Sequence, residues 1–181
     1  MRVISGTLGS RRFNPPNNLP TRPTTDVAKT GLFNMLNHHF DFNGLACLDL
    51  FCGTGNISYE FASRGCGEII AVDNEFGCIN FIKETSEEFK INNINAIKGD
   101  VLSFLNRNTK TFDVIFADPP YALENIDQLP GLIFEKKILN KEGWFILEHD
   151  KHHNFEAHAN FERNRKYGDT IFSIFTNEKK A

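Results

Sequence analysis

Apolar and polar residues change rhythm twice along this chain. Over the first forty residues apolar positions are sparse. Met1–Ser5 and Arg11–Phe13 are short mixed runs joined through Gly6 and Gly9, a pattern that predicts two strands in a small hairpin. Pro15, Pro16, Pro20 and Pro23 follow, and each proline biases its predecessor away from helix, so this stretch reads as an extended linker. Thr24 or Thr25 can cap a helix starting near Asp26, whose carboxylate suits the positive end of the helix dipole. Ala28, Leu32, Met35, Leu36 and Phe40 recur at helical spacing, which predicts one inward-facing side.

After Gly44 the chain alternates between apolar runs and amphipathic stretches. Ala46–Leu50 is a predicted strand leading into Gly53-Thr54-Gly55 and a helix from about Ile57 to Arg64, ended by Gly65. Ile69–Val72 is the next strand, ending in Asp73, and a helix follows through about Lys90. Asn95–Lys98 is a weaker strand and Val101–Asn106 a short helix. Phe112–Ala117 is a strand that runs into Asp118-Pro119-Pro120-Tyr121; Leu129–Lys136 is a helix and Trp144–Leu147 a further strand. Asn164–Tyr167 and Thr170–Thr176 flank Gly168-Asp169, a strong hairpin signal. Repeated βαβ units closed by such a hairpin predict an α/β fold with a mostly parallel sheet and helices on both faces. The expected organisation is one domain over 1–181, in which 1–43 extends a core of 44–181.

Composition narrows the class. With 181 residues, 40% hydrophobic and 24% charged, the chain is globular rather than disordered. No apolar run approaches the ~18 residues of a membrane span, and the first residues lack the apolar stretch of a signal peptide. Cys47, Cys52, Cys66 and Cys78 form no CxxC pair, which predicts reduced thiols and a cytoplasmic protein. A net charge of −3 argues against a nucleic-acid partner if taken whole. Its distribution argues the other way. Residues 1–40 carry Arg2, Arg11, Arg12, Arg22 and Lys29 against Asp26 alone, a net +4 that leaves −7 for the remainder. A basic arm on an acidic body suits a polyanion, although surface charge with no partner is the plainer account.

In open α/β sheets the ligand lies beyond the carboxyl ends of the strands. Asp49-Leu50-Phe51-Cys52-Gly53-Thr54-Gly55-Asn56 ends the first strand; its glycines allow a sharp turn and close approach, and the following helix offers free N–H groups to an anion. The third glycine of a dinucleotide loop is replaced by Ser58, which speaks against a nicotinamide-dependent oxidoreductase. Asp73, at the next strand end, can accept from both ribose hydroxyls, or can serve merely as a capping acid. Asp100, after the third strand, can read an adenine edge or cap a helix. The ordered series describes a site for an adenosine with a charged tail.

Asp118-Pro119-Pro120-Tyr121 supplies the chemistry. The Asp118 carboxylate and the Pro119 carbonyl offer two acceptors to an exocyclic NH₂, since the prolines remove two N–H donors and leave their carbonyls to face a substrate. Accepting both protons frees the nitrogen lone pair for attack on a methyl group, and Tyr121 can stack on the base that bears the amine. These residues resemble the class I S-adenosylmethionine-dependent methyltransferases with a (D/N)PPY motif. Arg2-Val3-Ile4-Ser5-Gly6, Arg22-Pro23-Thr24-Thr25-Asp26, Leu32-Phe33-Asn34, Leu48-Asp49-Leu50-Phe51, Ser63-Arg64-Gly65 and Leu147-Glu148-His149 narrow this to a resemblance to the RsmD family of bacteria.

That resemblance implies a Rossmann-like methyltransferase fold and transfer from S-adenosylmethionine, leaving S-adenosylhomocysteine, to the N2 amine of a guanine. The implied partner is 16S ribosomal RNA in small-subunit particles. Asp49, Phe51, Gly53, Gly55 and Asn56 would hold the methionine side, Asp73 the ribose, and Asp100 with Val101 the adenine. Asp118, Pro119, Pro120 and Tyr121 would hold the target base. Cys52 stands where the family usually has alanine, and Asp73 where it more often has Glu. Competing readings are a DNA adenine-N6 or cytosine-N4 methyltransferase, for which 181 residues leave no room for a target-recognition domain, and a non-catalytic cofactor-binding RNA assembly protein. His38 with His39, and His149, His152, His153 and His158, cluster without the spacing of a metal site, so no metal is expected. Arg2, Arg11, Arg12 and Arg22 would contact RNA phosphates. Replacing all four by alanine is expected to weaken RNA binding and flatten its dependence on salt; an unchanged slope of log Kd against log salt would refute that role.

Overall fold

The structure is a computed structural model that describes residues 1–19, 24–120, 123 and 125–177; Arg22 and Tyr121, with Pro20 and Pro23 of the linker, lie outside them. Its elements are α1 (Asp26–Asn37), β1 (Ala46–Leu50), α2 (Asn56–Ser63), β2 (Glu68–Asp73), α3 (Phe76–Phe89) and β3 (Ile94–Lys98). They continue with α4 (Val101–Arg107), β4 (Phe112–Ala117), α5 (Gln128–Glu135), β5 (Leu139–His149), β6 (Phe161–Tyr167) and β7 (Thr170–Thr176). The seven strands form one sheet in the order β3-β2-β1-β4-β5-β7-β6. β1 to β5 pair in parallel, while β7 pairs antiparallel with both β5 and β6.

Strand alternation divides the core between the two faces. Leu48, Leu50, Ile70, Val72 and Ile115 pack on α4 and α5 through Val101, Leu105, Leu129 and Ile133. Cys47, Ile69, Val114, Phe116 and Ile146 point the other way, against Leu32 and Phe33 of α1 and Ile57 and Phe61 of α2. All four cysteines are buried and free, and the Cys47 and Cys66 sulfurs lie 3.4 Å apart. Thr25 caps α1, its hydroxyl accepting from the Ala28 N–H at 3.2 Å. Among the described residues no helix is long and apolar enough to cross a membrane.

Three expectations need correction. β5 spans eleven residues rather than Trp144–Leu147, because residues 140–143 bulge out between two paired positions, Leu139 with Phe112 and Trp144 with Val114, and break the apolar pattern near its start. β6 likewise begins at Phe161. The amino-terminal hairpin contains only one bridge, Arg2 with Arg12, instead of two strands. Its turns are held by Val3 N–H to Arg11 O and Phe13 N–H to Met1 O, at 2.9 and 3.0 Å. Three other backbone groups of the hairpin are taken by helices. Ile4 N–H donates to Glu60, the Arg2 carbonyl accepts from Lys29 Nζ, and Thr7 N–H donates to Ser63 O at 2.8 Å.

The arm is therefore docked rather than free. Val3 and Phe13 are buried against Tyr59 of α2 and Ile91. Lys29, counted above as part of the basic arm, is fully buried, and its ammonium lies 3.3 Å from the equally buried Glu60 carboxylate. Gly6 makes this docking possible: it has φ +84°, and a Cβ there would fall 1.9 Å from the Ser63 carbonyl oxygen. Gly44 has a similar φ of +81° with open space around it. Gly6→Ala is expected to lower unfolding free energy by about 2–3 kcal/mol. Gly44→Ala, which bears only the left-handed backbone term, should lose about 1 kcal/mol. Urea unfolding of the two variants measures the difference, and equal losses would show that the Ser63 contact does not hold the arm.

Candidate active site

The order of the strands reverses direction beside β1, between β2 and β4, which is where an open α/β sheet parts its loops. Beyond Leu50 the chain turns through Phe51, Gly53 and Gly55 at φ +58°, +51° and +85°. A Cβ on Gly55 would lie 2.9 Å from Ile82 Cγ1 of α3 and 3.1 Å from Tyr59 Cε2, so a side chain has no room there. Phe51 adopts a left-handed conformation that is unfavourable for a bulky residue, and it does so at the wall of a cavity. The loop is held by Cys52 N–H to Val72 O at 3.1 Å and Gly55 N–H to Cys52 O at 2.9 Å.

That cavity has a volume of about 540 Å³, within the range of small-molecule sites. It brings together Asp49, Phe51, Gly53 and Asn56 from the first loop with Asp73, Asp100, Asp118, Pro119 and Pro120 from the next strand ends. Gly55 and Val101 are not in its wall. Gly55 caps α2, and the Val101 side chain is buried beneath α4. Arg2, Arg11 and Arg12 are exposed on the docked hairpin, outside the cavity; Arg2 pairs with Asp26 at 3.1 Å and Arg11 lies 4.9 Å over the Phe89 ring. A second cavity of about 490 Å³ lies at the opposite end of the sheet, near Trp144, and contains none of the predicted site residues.

Each acid is held by local structure. Asp73 Oδ2 accepts from the Gly53 N–H at 2.8 Å and Oδ1 from the Glu75 N–H at 2.9 Å, so this carboxylate organises the glycine loop. Asp100 caps α4, with Oδ1 accepting from the Ser103 N–H at 2.8 Å, and also lines the cavity. Both of its expected roles are thus compatible. The Asp118 N–H donates to Leu50 O at 3.3 Å, fastening the loop after β4 to β1. Pro119 is buried and Pro120 exposed. The Pro120 carbonyl accepts from the Leu123 N–H at 2.8 Å, so it closes the loop instead of facing a substrate as expected of both proline carbonyls.

Among the residues at or beside the site that escaped the sequence reading, Thr24 and Ser58 have defined partners there. Thr24 lines the cavity, and its hydroxyl donates to the buried Glu148 at 3.1 Å, which ties the linker to the end of β5. Ser58, read only as a missing glycine, donates its hydroxyl to Asp49 Oδ2 at 2.5 Å. The signal for Ser58 was its helical spacing after Gly55, which turns it back toward the strand.

Asp49, Asp73, Glu75, Asp100 and Asp118 all line the cavity, whose described wall contains no Lys or Arg. Burial pushes Asp49 from 3.8 up to about 7, with the Ser58 hydrogen bond opposing and Asp73 adding to the rise. A carboxyl raised in the folded state binds more protons than in the unfolded chain. Its contribution to stability is full below the unfolded value of 3.8 and is lost as pH rises through about 7. Asp49→Asn should remove that loss. Its stability relative to wild type should climb between pH 4 and 7 by a few kcal/mol, on the order of the linkage, and level off above. A pH-independent difference in denaturation curves would contradict the buried titration.

Comparison with known proteins places this geometry. The family model described as "Conserved hypothetical protein 95" matches residues 1–176. A Bacillus subtilis protein named "Putative rRNA methyltransferase YlbH" is 36% identical over 155 residues, covering 83% of each chain. "Ribosomal RNA small subunit methyltransferase D" of Escherichia coli strain K12 is 22% identical over 184 residues, covering 100% of this chain and 92% of that one. The solved structure "Putative methyltransferase yhhF from Escherichia coli" superposes with a TM-score of 0.87 at 21% identity over 99% of both chains, which shows a shared fold. With a class I methyltransferase sheet, its loop at the β1 switch point and a family match over nearly its whole length, the chain belongs to the RsmD family of S-adenosylmethionine-dependent methyltransferases.

Proposed function

We propose that this chain methylates the exocyclic N2 amine of a guanine in small-subunit ribosomal RNA, with residues 1–43 as an extension docked on one methyltransferase unit. The observation that carries the reading is the shared cavity, in which Asp118 and Pro119 line the same space as Asp49, Asp73 and Asn56. The names of the Bacillus and Escherichia relatives support RNA as the class of substrate.

The residues fit the donor chemically. A wall with five acidic residues suits a molecule bearing a sulfonium and an ammonium, and the amino-terminal N–H groups of α2 suit its carboxylate. Asn56 and the Phe51–Gly55 loop would hold the amino-acid end, Asp73 the ribose hydroxyls and Asp100 the adenine. S-adenosylmethionine, when bound, supplies a methyl carbon made electrophilic by its positive sulfur.

The remaining chemistry belongs to the protein. The loop after β4 is fastened to β1 through the Asp118 N–H, which sets the Asp118 backbone relative to the glycine loop. An exocyclic guanine amine is planar and its lone pair is delocalised into the ring. Asp118 and the Pro119 carbonyl would each accept one of its N–H bonds, drawing the nitrogen toward tetrahedral geometry and localising that lone pair. Asp118 is then positioned to take the proton the amine sheds. Arg2, Arg11, Arg12 and Arg22 would engage phosphates and thus position the RNA without reading bases.

The test is transfer of labelled methyl from S-adenosylmethionine to small subunits from a strain lacking this gene, followed by digestion to nucleosides. Label is expected in N2-methylguanosine and is expected to fall by about 100-fold or more with Asp118→Ala. Label recovered only in methyladenosine, in DNA or in protein would falsify the assignment.

A further inference from the structure

The cavity poses an electrostatic problem. Five carboxylates line it and no lysine or arginine does among the described residues, yet the methyl donor proposed above ends in a carboxylate as well as an ammonium. Something must offset the repulsion at that end. The α2 N-terminus contributes partial positive charge, and the first residue of α2, Asn56, which carries a carboxamide, lines the cavity.

An ammonium, ion-paired with Glu60 on its far side, bonds directly to that carboxamide. Lys29 Nζ donates to Asn56 Oδ1 at 2.8 Å and to the Arg2 carbonyl at 2.5 Å, and lies 3.3 Å from Glu60 Oε1. Three acceptors satisfy the three donors of the ammonium in a site with 0% exposure. Glu60 is shared: it also accepts from the Ile4 N–H and from Arg64 Nε at 3.3 Å. Asn56 is oriented at both ends, because its Nδ2 reaches the Thr24 carbonyl at 3.5 Å. A cation on the carbonyl side of an amide polarises it and strengthens its NH₂ as a donor.

Resting on the donor assigned above, we infer that Lys29 is a positioning residue for the methyl donor: through Asn56 it converts one wall of an acidic cavity into a receptor for the donor's carboxylate. Lys29 never touches the ligand. It fixes the flip of the Asn56 amide, oxygen toward itself and NH₂ toward the Thr24 carbonyl and the cavity, and increases the amide's donor strength. A purely architectural role predicts something different, since loss of the ion pair would then disturb every ligand of the cavity alike.

Two ligands separate these cases. S-adenosylhomocysteine carries the amino-acid tail, whereas 5′-methylthioadenosine keeps the adenosine and sulfur without it. Lys29→Met alone leaves Glu60 buried beside one fewer cation, which endangers folding. The variants to compare are therefore Lys29→Met/Glu60→Gln, Asn56→Ala and the three changes combined, with Lys29→Arg as the rescue. Calorimetric titration should show S-adenosylhomocysteine weakened about tenfold or more by either of the first two, with 5′-methylthioadenosine within about twofold of wild type. The combined variant should be no weaker than either, because both act through one amide, and Lys29→Arg should recover most of the loss. Equal weakening of both ligands, or additive losses, overturns the positioning role. A wild-type chain that binds neither ligand overturns the donor assignment, and the positioning role with it.

Discussion

The buried pair of Lys29 and Glu60 joins what would otherwise be separate pieces of this molecule. One ammonium and one carboxylate, each with 0% exposure, connect α1, α2, the amino-terminal hairpin and the cavity wall. Neither charge would persist there alone, because removing an ion from water costs several kcal/mol unless partners replace its hydration. Burial pushes the Lys29 ammonium below its ordinary range, and Glu60 opposes that shift. The hydrogen bonds from Ile4 and Arg64 to Glu60, and from Lys29 to Arg2 O and Asn56, supply the remaining partners. The hairpin therefore lends two backbone groups, the Ile4 N–H and the Arg2 carbonyl, to charges on α2 and α1.

A second consequence of that arrangement is electrostatic division. The cavity concentrates carboxyl groups at the carboxyl ends of β1, β2, β3 and β4, while the described cations stand outside or behind its wall. Two of those carboxylates are engaged in holding the loops that carry them: Asp73 binds the Gly53 amide and Asp100 caps α4. Asp49 lies deepest and accepts from Ser58, so it shapes the base of the site more than its rim. Such a field favours a positively charged ligand, and the exposed arginines of the docked arm lie outside it.

Local pattern made some of this legible. Ala46–Leu50 and Phe112–Ala117 are read to the residue, because a strand buried on both faces is a largely apolar run, here interrupted only by Asp49 and Asp113, that ends at polar or turn residues. The cavity's acids are legible for a related reason: each lies at or just past the end of such a run, where open sheets bind ligands. β5 was read short because Lys141, Glu142 and Gly143 look like a loop; they bulge from the ladder, and only the pairing of Leu139 with Phe112 shows that the strand starts before them. Lys29 was read as surface charge, since nothing near it in sequence reveals Glu60. Ser58 was read by what it lacked, a glycine, and not by the carboxylate its hydroxyl meets.

Sequence alone thus determined the alternation of strands and helices, the glycine turn after β1, the acids at successive strand ends and the prolines after β4. These follow from periodicity and from backbone restrictions that act within a few residues. Tertiary structure alone decided which charges are buried, that the basic arm is docked, that the Pro120 carbonyl is occupied and that Thr24 reaches the cavity. Those outcomes depend on distances between residues far apart in the chain. A buried charge or hydrogen bond has an energy only once both partners and the water they exclude are in place.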